Sequence, residues 1–222
     1  MSSQKKSKFL QQVSDEETAV ILDSLRIVLN AGIDGDIVEF GCYRGDTSLL
    51  IERILEREFP EKFSAGKRLW IYDSFEGLPE RTNFDASVAG DGFSAGELFV
   101  TKREVVERFK KAGLRVPRIR KGFFENLDAG EIDEKGVIIK STNDLPEKIA
   151  FAFLDGDLYQ SIKVSLRLVA PRMVSGGIII IHDYNNPQLP GVAKAVEEWL
   201  KKLGDSAPEL HQRESLAFFM IK

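Results

Sequence analysis

Short apolar runs that end abruptly at charged residues recur along this chain, and stripes of helical period separate them. Asp36-Ile-Val-Glu39-Phe40, Leu69-Trp-Ile-Tyr-Asp73 and residues 116–120, 149–154 and 178–181 are runs of this kind. Runs this short, rich in Ile, Val and Phe and bounded by turn residues, predict strands buried on both faces of a parallel sheet. Val20, Ile21, Leu25, Val28 and Leu29 keep a helical period over residues 15–31, with Ser14 as cap and Glu17 three positions on. Further helices are predicted after Gly45 and over residues 102–113, 159–170 (stopped by Pro171) and 192–203; residues 209–214 and 216–221 pattern as a closing hairpin. The alternation predicts one doubly wound α/β domain spanning residues 1–222, with a helical extension over 1–35.

Two stretches interrupt the alternation. Residues 82–100 carry Gly90, Gly92 and Gly96 among polar and aromatic residues, the composition of a mobile lid. Residues 128–146 are polar and acidic apart from Gly136-Val-Ile-Ile-Lys140, and predict an insertion with a small edge strand.

Composition narrows the class. A chain of 222 residues buries one proper core, and 43% hydrophobic with 30% charged residues is ordinary for a soluble domain. A formal net charge of -4 with mixed signs excludes a nucleic-acid surface, since the one basic cluster, Lys5, Lys6 and Lys8, reads as a solvated tail. Cys42 is the single cysteine, so no internal disulfide forms and a reducing compartment suits the chain. No secretory leader opens it and no apolar stretch approaches the ~20 residues of a membrane span, so a cytoplasmic protein with no membrane partner is expected.

The candidate chemistry gathers at the strand ends. Asp155 and Asp157 follow one strand, His182 and Asp183 another; acids there lie in the crevice where open α/β sheets bind ligands, and together they form a candidate hard-metal site. After the first strand comes Glu39-x-Gly41-x-x-x-Gly45, with Thr47 and Ser48 at a helix start whose free N–H groups suit an anion. This is not the dinucleotide fingerprint, because Tyr43 stands where the pyrophosphate would pass. Glu39 suits an ammonium, and Asp73, ending the second strand, is placed to take ribose hydroxyls with both oxygens. An amino acid beside a ribose spells S-adenosylmethionine.

With those pieces assembled, the chain resembles the macrocin O-methyltransferase family. The matching runs are Ile37-Val-Glu-Phe-Gly-Cys-Tyr-Arg-Gly45, Tyr72-Asp-Ser-Phe-Glu-Gly-Leu-Pro79, Lys121-Gly-Phe-Phe124, Leu154-Asp-Gly-Asp-Leu-Tyr159 and Gly176-Gly-Ile-Ile-Ile-Ile-His-Asp-Tyr184. The resemblance implies a Rossmann-like class I methyltransferase fold, a mostly parallel seven-stranded sheet with an antiparallel last strand. It also implies magnesium-dependent methylation of a hydroxyl on a sugar or other small secondary metabolite, and a homo-oligomer. Carried over by position, Asp155 and Asp183 are metal ligands and Asp157 is the catalytic base. Glu39, Gly41, Asp73 and Ser74 fall on cofactor positions, with Tyr43, Gly45, Thr47, Ser48 and Phe75 around them and Gly122 and Phe123 near the adenine.

The chain departs from the family at His182, where an acid is usual; imidazole favours zinc, manganese or iron over magnesium. His182 is either a third ligand or a group holding Asp183, and Asp157 also stands where it would cap the following helix. The region before the first strand is a single helix, shorter than the family's. Two other classes stand beside this reading: a nicotinamide-dependent oxidoreductase and a non-catalytic cofactor-binding scaffold. His211 reads as a surface residue, Trp70 and Trp199 as packing residues, and Cys42 as an unactivated turn residue.

Overall fold

Ser14 opens the first described helix, α1 (Asp15–Asn30), through a reciprocal capping box: its hydroxyl accepts the Glu17 amide and the Glu17 carboxylate accepts the Ser14 amide. In this computed structural model the described residues are 12–90, 93–132, 138–140, 142 and 144–222; Lys5, Lys6, Lys8, Asp91, Gly92, Gly136 and Val137 lie outside them. After α1 come β1 (Asp36–Phe40), α2 (Asp46–Arg57), α3 (Pro60–Ser64), β2 (Leu69–Asp73), α4 (Lys102–Lys111) and β3 (Arg118–Lys121). Then follow β4 (Glu131–Ile132), β5 (Ile138–Lys140), β6 (Ile149–Leu154), α5 (Tyr159–Val169), β7 (Met173–Ile181), α6 (Pro190–Leu203), β8 (His211–Arg213) and β9 (Leu216–Met220).

Seven strands form one sheet in the order β3-β2-β1-β6-β7-β9-β8. The first five are parallel; β9 runs antiparallel to both β7 and β8. Strand order reverses between β1 and β6, which opens a crevice above their carboxyl ends. Register brings those ends level, since Phe40 pairs with Tyr72 on one side and Leu154 on the other, and Leu154 pairs with Ile181. The ladder continues one step into the loops: the amides of Gly41, Gly122, Asp155 and His182 donate to Tyr72, Asp73, Phe40 and Leu154 at 2.8–3.0 Å.

Alternate strand residues feed two apolar layers. Phe40, Tyr72, Leu154 and Ile181 pack with Ile162 and Leu166 of α5 and Val192 and Val196 of α6. Ile37, Ile71, Phe153 and Ile180 pack on the other face with Ile21, Leu25 and Val28 of α1 and Ile51 and Leu55 of α2. Each such fully buried side chain is worth about 1.5–3 kcal/mol of transfer free energy, so the sheet that carries the crevice is rigid.

The predicted elements shift in detail. The third strand occupies Arg118–Lys121, and β7 starts at Met173 rather than 178. The short helix α3, with Pro60 at its first position, was not anticipated. The expected edge strand in the 128–146 insertion pairs with Glu131–Ile132 as a separate two-stranded sheet instead of extending the main one. Among the described residues no helix is long and apolar enough to cross a membrane.

Candidate active site

The turn leaving β1 is forced by its neighbours. Gly41 has φ +86°, and a Cβ there would overlap the Asp155 carbonyl of the adjacent strand, so only glycine fits. Asp73 then holds the turn. Its Oδ2 accepts the amides of Cys42 at 2.9 Å and Tyr43 at 3.1 Å, and its Oδ1 accepts the Phe75 amide at 2.8 Å. A carboxylate offers about four acceptor sites, and the turn takes three of those on Asp73. Ser74 is likewise engaged, donating to the Gly77 carbonyl at 2.6 Å and accepting the Glu76 amide.

Glu39 lies just below the turn, 1% exposed. Burial pushes its carboxyl up to about 8, against the opposing effect of the Ser48 hydroxyl that donates to it. A cavity of about 260 Å³ lies above, and Glu39, Gly41, Tyr43, Thr47, Asp73 and Ser74 line it. Phe123, Asp155 and Asp157 line it as well. Of the remaining predicted residues, Gly45 starts α2, Ser48 reaches the cavity only through Glu39, and Phe75 is buried. Gly122 serves the sheet edge through its amide. Cys42 is buried, and burial pushes its thiol up, which fits the unreactive role expected for it.

At the other side of the crevice charge is concentrated. His182 Nδ1 lies 2.8 Å from Asp155 Oδ1 and 3.2 Å from Asp183 Oδ2, while its Nε2 lies 3.6 Å from Glu17 Oε2. Burial alone would lower the His182 pKa; the facing carboxylates of Asp155, Asp183 and Glu17 outweigh it and hold the imidazole well above its ordinary value. Asp157, 8% exposed, is pushed well up by burial and then by the charges of Asp155 and Asp183. Asp157 and Asp183 have φ of 59° and 60°, and Tyr43 and Phe75 in the turns after β1 and β2 have 46° and 50°. Strained non-glycine residues thus ring the crevice, as at sites over-determined by their surroundings.

Asp155, His182 and Asp183 each bring one ligand atom within 4.8 Å of the others. Two carboxylate oxygens and an imidazole nitrogen are a donor set that fits a divalent cation able to accept nitrogen. His182 and Asp183 lie outside the cavity lining and join it through Asp155.

Two buried carboxylates that tie distant segments together escaped the sequence reading. Glu17 signalled only a helix cap, yet the same side chain also accepts from the Ser215 amide and hydroxyl and faces His182. Asp85, fully buried, accepts the Tyr159 amide at 2.7 Å. The start of α5 is therefore capped from the 82–100 segment, and the capping role weighed for Asp157 falls to Asp85. That segment is also tied to the body through Ser87 on the Pro187 carbonyl and through Phe84 packed on Tyr159. Its 93–100 stretch is anchored by the Gly96 amide, which donates to the Leu78 carbonyl, and by the Glu97 carbonyl, which accepts the Leu78 amide.

Comparison with known proteins adds to this geometry. The family model described as Macrocin-O-methyltransferase (TylF) matches residues 13–212. The 8-demethyl-8-(2,3-dimethoxy-alpha-L-rhamnosyl)-tetracenomycin-C 4'-O-methyltransferase of Streptomyces olivaceus is 29% identical over 193 residues, 82% of this chain and 64% of that protein. The demethyldecarbamoylnovobiocin O-methyltransferase of Streptomyces niveus is 28% identical over 196 residues, with the same two coverages of 82% and 64%. The match thus spans less than two thirds of the length of these relatives. The solved structure of the O-methyltransferase NovP overlays with a TM-score of 0.70 at 24% identity, over 92% of this chain and 79% of that one.

Proposed function

The chain belongs to the macrocin O-methyltransferase family and has the class I methyltransferase fold, and on that premise we propose that it moves a methyl group from S-adenosylmethionine to a hydroxyl of a sugar-bearing small metabolite. One observation carries the reading: a single cavity joins Glu39 and Asp73 at the glycine turn to Asp155 and Asp157 across the crevice. Glu39 receives the ammonium of the methyl donor, whose positive charge offsets the cost of an ionised buried carboxylate. The remaining acceptor site of Asp73 takes one ribose hydroxyl, and Phe123 lies against the base.

Transfer is an in-line displacement. The acceptor oxygen forms a bond to the methyl carbon as the carbon–sulfur bond breaks, the sulfonium leaves as a neutral thioether, and the hydroxyl proton passes to the Asp157 carboxylate. Asp157 is a buried carboxyl that lines the cavity with Asp155, which places it to accept that proton. A divalent cation held by Asp155, Asp183 and His182 would supply positive charge that acidifies a hydroxyl and fixes its direction. Holding oxygen, methyl and sulfur in line supplies several kcal/mol of the barrier lowering.

The rhamnosyl group in the name of the Streptomyces olivaceus relative makes glycosides the first acceptors to try. Methyl-labelled S-adenosylmethionine incubated with rhamnosylated aromatic compounds and a divalent cation is expected to label a sugar hydroxyl. Label appearing only on carboxylates, amines or RNA would overturn the hydroxyl assignment.

A further inference from the structure

The His182 ring is held from both ends. Its Nδ1 faces Asp155 and Asp183 at 2.8 and 3.2 Å, and its Nε2 faces Glu17 at 3.6 Å, an ion-pair distance. Glu17 comes from α1, and its carboxylate is fixed independently of the ring. Oε2 accepts the Ser14 amide and hydroxyl, both at 2.9 Å; Oε1 accepts the Ser215 amide at 3.2 Å and the Ser215 hydroxyl. A capping box needs only the bonds to Ser14. It does not require a carboxylate that is 6% exposed, tied to the β8–β9 turn and aimed at an imidazole that is itself 4% exposed.

Histidines that bind metals donate their second ring nitrogen to a carboxylate, which fixes both tautomer and direction. Glu17 is placed to do this for His182. Resting on the reading of the β6 and β7 ends as a cation site, we propose that Glu17 is a positioning residue that holds the His182 Nε2–H, presents Nδ1 beside Asp155 and Asp183 as a nitrogen ligand, and so makes the site select a first-row transition-metal ion over magnesium. Magnesium takes oxygen ligands and keeps its water, whereas imidazole nitrogen favours the later divalent ions. The inference concerns selectivity, and it ties the docking of α1 to the cation.

The test titrates the metal-free full chain with manganese and, separately, with magnesium, and reads bound manganese by electron spin-echo spectroscopy for coupling to nitrogen. Wild-type protein is expected to bind manganese more tightly than magnesium and to show the nitrogen coupling. Glu17→Gln should weaken manganese binding about 10–100-fold and magnesium binding less. His182→Asp, which restores an all-oxygen donor set, should abolish the nitrogen signal and lower the manganese-to-magnesium preference about tenfold or more; it decides the matter if Glu17→Gln does not fold. Manganese bound without nitrogen coupling, or equal weakening of both ions in Glu17→Gln, overturns the relay. S-adenosylmethionine titrated into the same samples separates the two readings: a protein that binds it but takes no manganese overturns the relay and leaves the methyl-donor reading standing.

Discussion

On the β1–β2 side of the crevice the Asp73 carboxylate takes three backbone amides, whereas on the β6–β7 side the Asp157 carboxyl takes none from the described residues. Both sides carry strained backbone, at Tyr43 and Phe75 on one and at Asp157 and Asp183 on the other. The second gathers Asp155, Asp183 and Glu17 around one imidazole, with the Asp157 carboxyl near these acids. The contrast teaches a division of labour. The Asp73 turn is a finished mould whose carboxylate is engaged before a ligand arrives; Glu39 beneath it and the acids of the other side keep electrostatic tension that a proton, a cation or a substrate relieves.

Four substitutions break or sharpen that contrast. The largest effect is expected from Asp157→Asn in the tense half: methyl transfer should fall by roughly 10²–10⁴-fold as a proton acceptor is lost. Thermal stability should hold or rise, because an amide carries no cost of ionising in a buried site beside Asp155 and Asp183. Unchanged turnover in a steady-state assay would deny Asp157 its role. Next, Gly41→Ala at the seam of the halves should cost about 3 kcal/mol or more in urea unfolding, since it adds both an αL penalty and an overlap with the Asp155 carbonyl.

Within the satisfied half, Asp73→Asn weakens the amide cradle of the turn and should cost about 2 kcal/mol, read as a lower urea midpoint with unchanged slope. The last effect is a slope with pH rather than a single loss. Glu39 moves from 4.5 to about 8 on folding, with burial as the leading cause. The folded carboxyl keeps its proton where the unfolded one has lost it, so its stabilisation is complete below 4.5 and is lost as pH rises to about 8, at no more than about 1.4 kcal/mol per pH unit. Glu39→Gln should flatten that part of the stability–pH curve in thermal melts without donor; an unaltered curve would show that Glu39 titrates normally.

Much of this was legible along the chain because its causes are local. Apolar runs ending at acids, the glycine turn and the Ser14–Glu17 box each rest on residues a few positions apart, and the sheet set Asp155 level with Gly41 through strand register alone. What escaped depends on contacts across the sequence. Glu17 meets Ser215, and Asp85 meets Tyr159, only because α1 and the 82–100 segment dock where they do. Gly191 carries the same lesson: a Cβ there would overlap the Asp85 carboxylate, a constraint with no local sign. The engagement of Asp73 by three amides was equally hidden, since its position at the end of β2 suits a ligand and a turn alike.

Calorimetric titration of the full chain with S-adenosylmethionine, run beside NADH and repeated on Glu39→Ala, tests the central claim most directly. The account predicts saturable binding of S-adenosylmethionine, weakened in Glu39→Ala, and no binding of NADH. Binding of NADH with none of S-adenosylmethionine would contradict it.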